Sequence, residues 1–424
     1  MDKLIKKIWL VFDKRANKIG IKLSVVFIVA GFLGYINQIL MARLLGISSY
    51  GVFASILAGL AILSAPSIVI SPLVTKQVAQ LNIKKNYTGI FKLYKEYLIL
   101  FTVVLIIFQF ISFIYGEEIS LILSVDKSML YLMVFIAFSL ILLSVSSGVF
   151  YGVQKFKIAS FIGVLYPALK IILCSISVLI GMEVLGATLG ILFAASIAVC
   201  YGVFQVFKFQ IKEGSTSIRI DGLEKKKILM MLSANTFFAV MLQMDVIVVN
   251  YFFGPEEGGI YASAATLGKS VLYLPGGIAI ALLATAGSNK IKKNNHQTLM
   301  SALVLTGICC LMLACFMYLF SGLIIKLTFG DGYQAAAEFL GWYAFAMCPW
   351  ALVIVLENYL IALDKYFLTW IYLFGITLQS LSIYYLLSDS FSVLYIVCFL
   401  GILIATVGLL LAWVEFGRLT KSFF

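Results

Sequence analysis

The sequence predicts an all-α integral membrane protein with twelve transmembrane helices, built as two parallel, pseudo-repeated six-helix bundles around a central cavity. Three observations predict it. The 424 residues are 62% hydrophobic and only 12% charged, against roughly 45–50% and about 25% in a soluble chain. The apolar residues gather in twelve runs, each near the length of about 20 residues that crosses a bilayer. Lysine and arginine almost avoid one side of the predicted membrane.

The runs are 21–42, 51–74, 97–115, 129–150, 158–180, 184–206, 229–252, 260–286, 298–320, 338–361, 366–387 and 392–414. Backbone groups in hydrocarbon must bond internally, and these runs are too long and too uniformly apolar for barrel strands, so they are helices. The first run is too long for a signal-peptide core and stays as the first span. The seven cysteines all fall inside the runs and read as small packing residues; their spacing fits no zinc site.

With the N-terminus placed inside, 26 of the 31 basic residues fall on inner segments, Lys22 at the inner edge of the first run included. Only Arg43, Lys127 and Lys326 fall outside, and Lys170 and Lys269 lie within spans. This is a strong positive-inside signal and puts both termini in the cytoplasm. The net charge of +12 therefore reports orientation, not nucleic-acid binding. Segment 76–97 mixes lysines with Val78, Leu81, Ile90, Phe91 and Leu93. It reads as an amphipathic helix lying on the inner surface against anionic lipids. Residues 211–228 read as a polar cytoplasmic linker between bundles 1–210 and 229–424.

A short pattern occurs twice, in 43-RLLGISSYGVFAS-55 and in 252-FFGPEEGGIYAS-263, with Gly51 matching Gly259 at an offset of 208. Three more landmarks keep nearly that offset. Gln154-Lys155-Phe156 matches Asp364-Lys365-Tyr366 at 210, Tyr115-Gly116 matches Phe329-Gly330 at 214, and Pro66 matches Pro275 at 209. Four matches in the same order point to a duplicated six-helix half. Six is even, so the repeat is parallel, with its axis along the membrane normal. Pro66 and Pro275 would kink spans 2 and 8 at equivalent depths and mark them as gate helices.

Arg43-Leu44-Leu45-Gly46 followed by Tyr50-Gly51-Val52-Phe53, with Phe329, Gly330 and Tyr333 as an F-G-x-x-Y sequence, resembles bacterial polysaccharide flippases. These are the Wzx-type O-antigen transporters of the multidrug/oligosaccharidyl-lipid/polysaccharide superfamily. The resemblance covers essentially the whole chain. It implies movement of an undecaprenyl-diphosphate-linked oligosaccharide from the inner to the outer leaflet of a bacterial inner membrane, in O-antigen and lipopolysaccharide biosynthesis. A polysaccharide polymerase and chain-length proteins would be its partners.

A charge near the bilayer centre costs on the order of 2.5–3.5 kcal/mol on insertion scales, so each one asks for a reason. Lys170 shares a small, partly polar face with Gly163, Tyr166, Cys174 and Ser177. Lys170, Lys269 and Arg43 form a candidate cationic lining for a diphosphate, with Gln38 and Gln243 as hydrogen-bonding partners of the cargo. Asn37 stands beside Gln38, and Thr236, Gln243 and Asn250 recur every seventh residue. Asp245 and Glu357 are candidates for ion coupling or for ion pairing. Asp245 would pair with Lys269, and Glu357 would snorkel inward. Gln243 and Asp245 point nearly opposite ways around one helix, so the sequence does not let both face one cavity squarely.

Enzymatic chemistry has little to work with here. The only histidine is His296, in an inner loop, and no paired carboxylates share a depth. Neither a metal nor a cofactor is expected. The alternatives to flipping are a multidrug/cation antiporter of the same superfamily and, further off, a membrane-embedded polysaccharide polymerase.

Overall fold

The computed structural model describes residues 14–208, 222–273, 295–362, 365 and 367–421. They are helical almost throughout. The helices are α1 (Lys14–Leu45), α2 (Ile47–Ser64), α3 (Ser67–Ile83), α4 (Tyr87–Ile114), α5 (Gly116–Leu123), α6 (Lys127–Gly152), α7 (Phe156–Ser177) and α8 (Glu183–Phe207). After the linker follow α9 (Gly222–Gly268), α10 (Asn295–Leu319), α11 (Ser321–Thr328), α12 (Ala336–Ala362), α13 (Leu368–Leu386) and α14 (Ser390–Lys421).

Nine described stretches are long and apolar enough to cross a membrane. Two of them are double, because Phe156–Phe207 breaks at Gly181 and Lys226–Tyr273 breaks at Gly254. With α13, a 19-residue helix that is not among these nine, the tally reaches the twelve predicted. The breaks have local causes. Gly254 sits at φ 87°, ψ 170° and Gly181 at φ 93°, a region that costs a side chain but not glycine.

The repeat survives at the level of backbone angles. Gly46, which caps α2, has φ 78° and ψ 175°, nearly the angles of Gly254 at the same place in the second copy. The ends of α6 and α12 also match. The Lys155 amide bonds the Phe150 carbonyl at 2.8 Å, and the Lys365 amide bonds the Leu360 carbonyl at 2.9 Å. Both are the six-to-one bond of a Schellman cap, repeated 210 residues later.

One landmark needs correction. Tyr115 caps the start of the short helix α5 with φ −104°, ψ 19°, and Phe320 caps the start of α11 with φ −111°, ψ 18°. Phe329 and Gly330 follow the far end of α11. The equivalent of Tyr115 is therefore Phe320, and the aromatic-glycine match with Phe329-Gly330 is a coincidence of spelling. Residues 76–97 also differ from expectation. They form no separate surface helix. They are the end of α3 and the start of α4, joined by a tight turn in which Lys85 takes φ 54°. The spans run on past their apolar cores because nothing in these lysine-rich ends breaks a helix.

By contacts the chain forms two compact units. One comprises residues 1–44, 67–114 and 131–219; the other comprises 45–66, 115–130 and 220–424. Residues 45–66 and 115–130 precede the linker in sequence yet belong to the second unit, so compactness and chain order divide the molecule differently. Residues 209–221 of the linker region lie outside the described residues, and 222–228 already belong to α9.

In the first unit, Gly148 and Gly152 of α6 let α3 approach closely. A Cβ on Gly148 would stand 2.7 Å from the Ser71 carbonyl, and one on Gly152 2.6 Å from Val78 Cβ. Thr75 and Ser144 add hydroxyl bonds to the Gly148 and Ser67 carbonyls at 3.2 and 2.9 Å. Small residues at the crossings are how membrane helices pack without a hydrophobic drive.

In the second unit, α2 packs against α9. A Cβ on Gly51 would stand 2.0 Å from the Pro255 carbonyl oxygen, and one on Gly259 2.1 Å from that of Ile47. Ile47 and Pro255 are themselves 208 apart, as are Gly51 and Gly259. The two copies of the repeated pattern therefore touch each other, through one contact that maps onto itself when the copies are exchanged.

Candidate functional site

Asp245 lies on the first arm of α9 and is fully buried. Lys269 lies where the second arm ends and the backbone tightens into a 3-10 turn, Lys269–Tyr273. The break at Gly254 folds the two arms so that these residues meet. Lys269 Nζ is 3.3 Å from Asp245 Oδ1 and donates to Gln243 Oε1 at 2.9 Å. Its side chain keeps 16% exposure, against 1% for Asp245.

Two tyrosines complete the shell. The Tyr261 hydroxyl donates to Asp245 Oδ2 at 3.4 Å, and the Tyr343 hydroxyl, from α12, donates to the same oxygen. The ammonium also lies 6.0 Å from the centre of the Tyr343 ring. A carboxylate away from water needs a cation and hydrogen-bond donors, and Asp245 has both. Gly268 makes room, since a Cβ there would strike the Tyr343 ring at 2.5 Å.

This cluster answers the difficulty over Gln243 and Asp245. Their Cβ atoms diverge around the helix, yet the long lysine side chain reaches both from the neighbouring arm. Of the seven-residue series, only Gln243 takes part. Thr236 returns its hydroxyl to the Leu232 carbonyl at 2.9 Å, and Asn250 is buried with its amide unpaired among the described residues.

Lys170 has a different setting, in the first unit. It is half-buried on α7, one turn after Tyr166 and one turn before Cys174. No carboxylate balances it there. Cys174 also stands beside Asn37 of α1 and donates its thiol to the Ala187 carbonyl at 3.2 Å. Asn37 is fully buried, and its amide finds no hydrogen bond of normal geometry among the described residues. Asn37 and Asp245 are 208 apart, so they are repeat equivalents. The same position is neutral in one copy and anionic in the other. The repeat offset of 208 makes that equivalence readable from the sequence, although Asn37 stands out there only as a polar neighbour of Gln38.

The remaining candidates scatter. Gln38 is half-buried on α1, and Arg43 is exposed in its last turn. Gly31 and Gly34 are not packing glycines, for a Cβ on either would meet nothing within 4 Å. Glu357 does not snorkel. It is 8% exposed, its Oε2 accepts from the Tyr372 hydroxyl at 3.2 Å, and its Oε1 has no hydrogen-bond partner among the described residues. Pro66 stands in the two-residue break between α2 and α3, as its missing N–H requires. Pro275 lies outside the described residues.

The second motif of the sequence finds its partner here. The Tyr50 ring packs against Phe329 at 5.9 Å and Tyr333 at 6.0 Å between centroids, and its hydroxyl shares a hydrogen bond with Thr266 Oγ1 at 3.2 Å. Gly330, at φ 99°, makes the turn that brings Phe329 and Tyr333 to the same ring. Two patterns 280 residues apart thus build one aromatic cage around a fully buried tyrosine.

No protein-family model matches the sequence, and no curated protein matches it. The fold does have solved relatives. A multidrug resistance MATE family transporter of the MOP superfamily, in an inward-facing conformation, matches with a TM-score of 0.72 and 14% identity, over 92% of this chain and 96% of its own. An outward-facing conformation of a multidrug resistance MATE family transporter of the same superfamily matches with a TM-score of 0.63 and 15% identity, over 95% and 96%. A MOP superfamily transporter from Pyrococcus furiosus, described as having a binding pocket of reverse polarity that suggests a different function, matches with a TM-score of 0.66 and 15% identity, over 95% and 96%. The chain has the fold of these transporters over more than nine-tenths of its length.

Proposed function

We propose that this chain is an alternating-access membrane transporter in which the Asp245–Lys269 pair couples cargo movement to a cation. The observation that carries the proposal is the pair itself. A buried carboxylate, a lysine with partial access and two tyrosine hydroxyls share one oxygen shell. A proton or sodium ion arriving at Asp245 competes with the ammonium, and the freed lysine then changes what the site attracts. Two positions of Lys269, each favoured by one state of Asp245, are what coupling requires.

The likeness to multidrug transporters supports the multidrug/cation antiporter over the flipping of a lipid-linked oligosaccharide. The pairing of Lys269 leads the same way, since a lysine neutralised by Asp245 offers a diphosphate less than a free one would. No enzymatic step is part of the proposal.

One observation keeps the flippase as a second reading. Lys170 has no carboxylate beside it among the described residues, and a lone intramembrane cation suits an anionic cargo. The two readings separate in one experiment. Purified protein in vesicles is given a lipophilic cation in one arm and an undecaprenyl-diphosphate-linked oligosaccharide in the other. Gradient-driven movement of the first alone supports the antiporter; movement of the second alone, lost in Lys170→Ala, supports the flippase. Movement of neither would overturn both.

A further inference from the structure

A groove of about 430 Å³ runs along α4 in the first unit, lined by Phe91, Tyr94, Lys95, Leu98, Thr102 and Phe207 among others. The α4 residues recur at three and four positions, which is one stripe of a helix. Phe207, near the end of α8, closes the groove by meeting the Phe91 ring edge-on at 5.2 Å. Tyr94 is held as a rigid wall, because its hydroxyl is fixed to Ser146 Oγ at 2.9 Å in the buried interior. The groove is thus built, and is not merely a gap between mobile side chains.

Its two ends differ in chemistry. From Leu98 to Val103 the lining is apolar apart from Thr102, whose hydroxyl turns back to the Leu98 carbonyl at 2.8 Å. The other end carries amines. Lys95 is exposed at the mouth, and Lys92 is exposed one turn earlier. Lys208 directly follows Phe207 in sequence; it is exposed outside the groove lining, with its ammonium 4.3 Å from the Phe204 ring centre. Both helix ends lie on the lysine-rich side that the sequence assigns to the cytoplasm.

We infer that this groove is a binding site for one anionic phospholipid of the lysine-side leaflet, with an acyl chain along Leu98–Val103 and the phosphate among Lys95 and Lys208. Apolar burial alone would hold any phospholipid. The amines add the selection for negative charge, each strengthening attraction to an acidic headgroup roughly fivefold. Glu96, exposed beside Lys95, is the acid nearest in sequence, and three lysines, Lys92, Lys95 and Lys208, stand against this one carboxylate. The site is independent of the cargo and of the coupling pair.

The test uses the full-length protein in a neutral detergent, followed by native mass spectrometry and by its thermal midpoint as phosphatidylglycerol or phosphatidylcholine is added. The inference predicts one retained phosphatidylglycerol and a raised midpoint, with little effect of phosphatidylcholine. Lys95→Gln with Lys208→Gln should weaken retention by more than tenfold, whereas Lys157→Gln, another exposed lysine, should not. Thr102→Trp, which fills the apolar part and keeps both lysines, should weaken it too. Equal retention of the two lipids, loss in Lys157→Gln alone, or an equal shift with inorganic phosphate would overturn the inference. So would a second copy of the chain, in place of lipid, protecting the groove from labelling.

Discussion

Gly51 and Gly259 hold the two copies of one sequence pattern in backbone contact. The Cβ that Gly51 lacks would lie 2.8 Å from the Gly259 nitrogen, and each glycine faces a carbonyl of the other copy. A repeat in sequence states that two segments are equivalent. It does not state that they are neighbours, and here they are both. Both copies lie in the same compact unit, and Tyr50 is caged beside the crossing by Phe329 and Tyr333.

Gly51→Ala and Gly259→Ala should each lower stability by about 1–3 kcal/mol, because the new methyl meets backbone that cannot rotate away. Thermal midpoints of the purified variants check this. The double variant should cost less than the sum, since the first alanine already parts the helices and the sites are in contact.

Tyr50→Phe removes the hydroxyl bond to Thr266 and leaves the rings of Phe329 and Tyr333 packed. It should cost about 0.5–1.5 kcal/mol. Tyr50→Ala empties the cage and should cost several times more, about 3–5 kcal/mol. Thermal midpoints of the two purified variants check this.

Either Asp245→Asn or Lys269→Met alone leaves a buried charge without its partner and should destabilise by about 3–5 kcal/mol. Combining them should restore much of the loss, a coupling that a double-mutant cycle reads directly. Transport should not return with stability, because the combined variant has no group left to exchange a cation.

Lys170→Ala should change stability little, for no carboxylate depends on that lysine among the described residues. It should leave movement of a lipophilic cation intact. If it abolishes movement of an anionic lipid-linked cargo instead, the second reading gains its site.

The span pattern was legible because a bilayer imposes a length, and hydrophobic runs of that length are hard to misread. The breaks at Gly46 and Gly254 were legible as a repeated glycine. The Tyr115 equivalence was not. An aromatic next to a glycine recurs by chance, whereas the cap angles of Tyr115 and Phe320 exist only in three dimensions. The site was half legible. Asp245 and Lys269 stood out as charges in apolar runs, but the helical wheel set Gln243 and Asp245 apart. It knew nothing of a lysine long enough to reach both. Tyr261 and Tyr343 carried no signal at all, being two tyrosines among 22. Glu357 misled because snorkelling is a habit of long side chains near helix ends, while a hydrogen bond to Tyr372 holds it inside.

The coupling claim meets its most direct test in proteoliposomes carrying a pH- or sodium-sensitive dye and a fluorescent lipophilic cation. The account predicts that addition of cargo dissipates the imposed gradient, that the gradient drives cargo uphill, and that Asp245→Asn abolishes both while the folded protein is still recovered. Uphill transport that continues in Asp245→Asn, or cargo movement indifferent to both gradients, would contradict it.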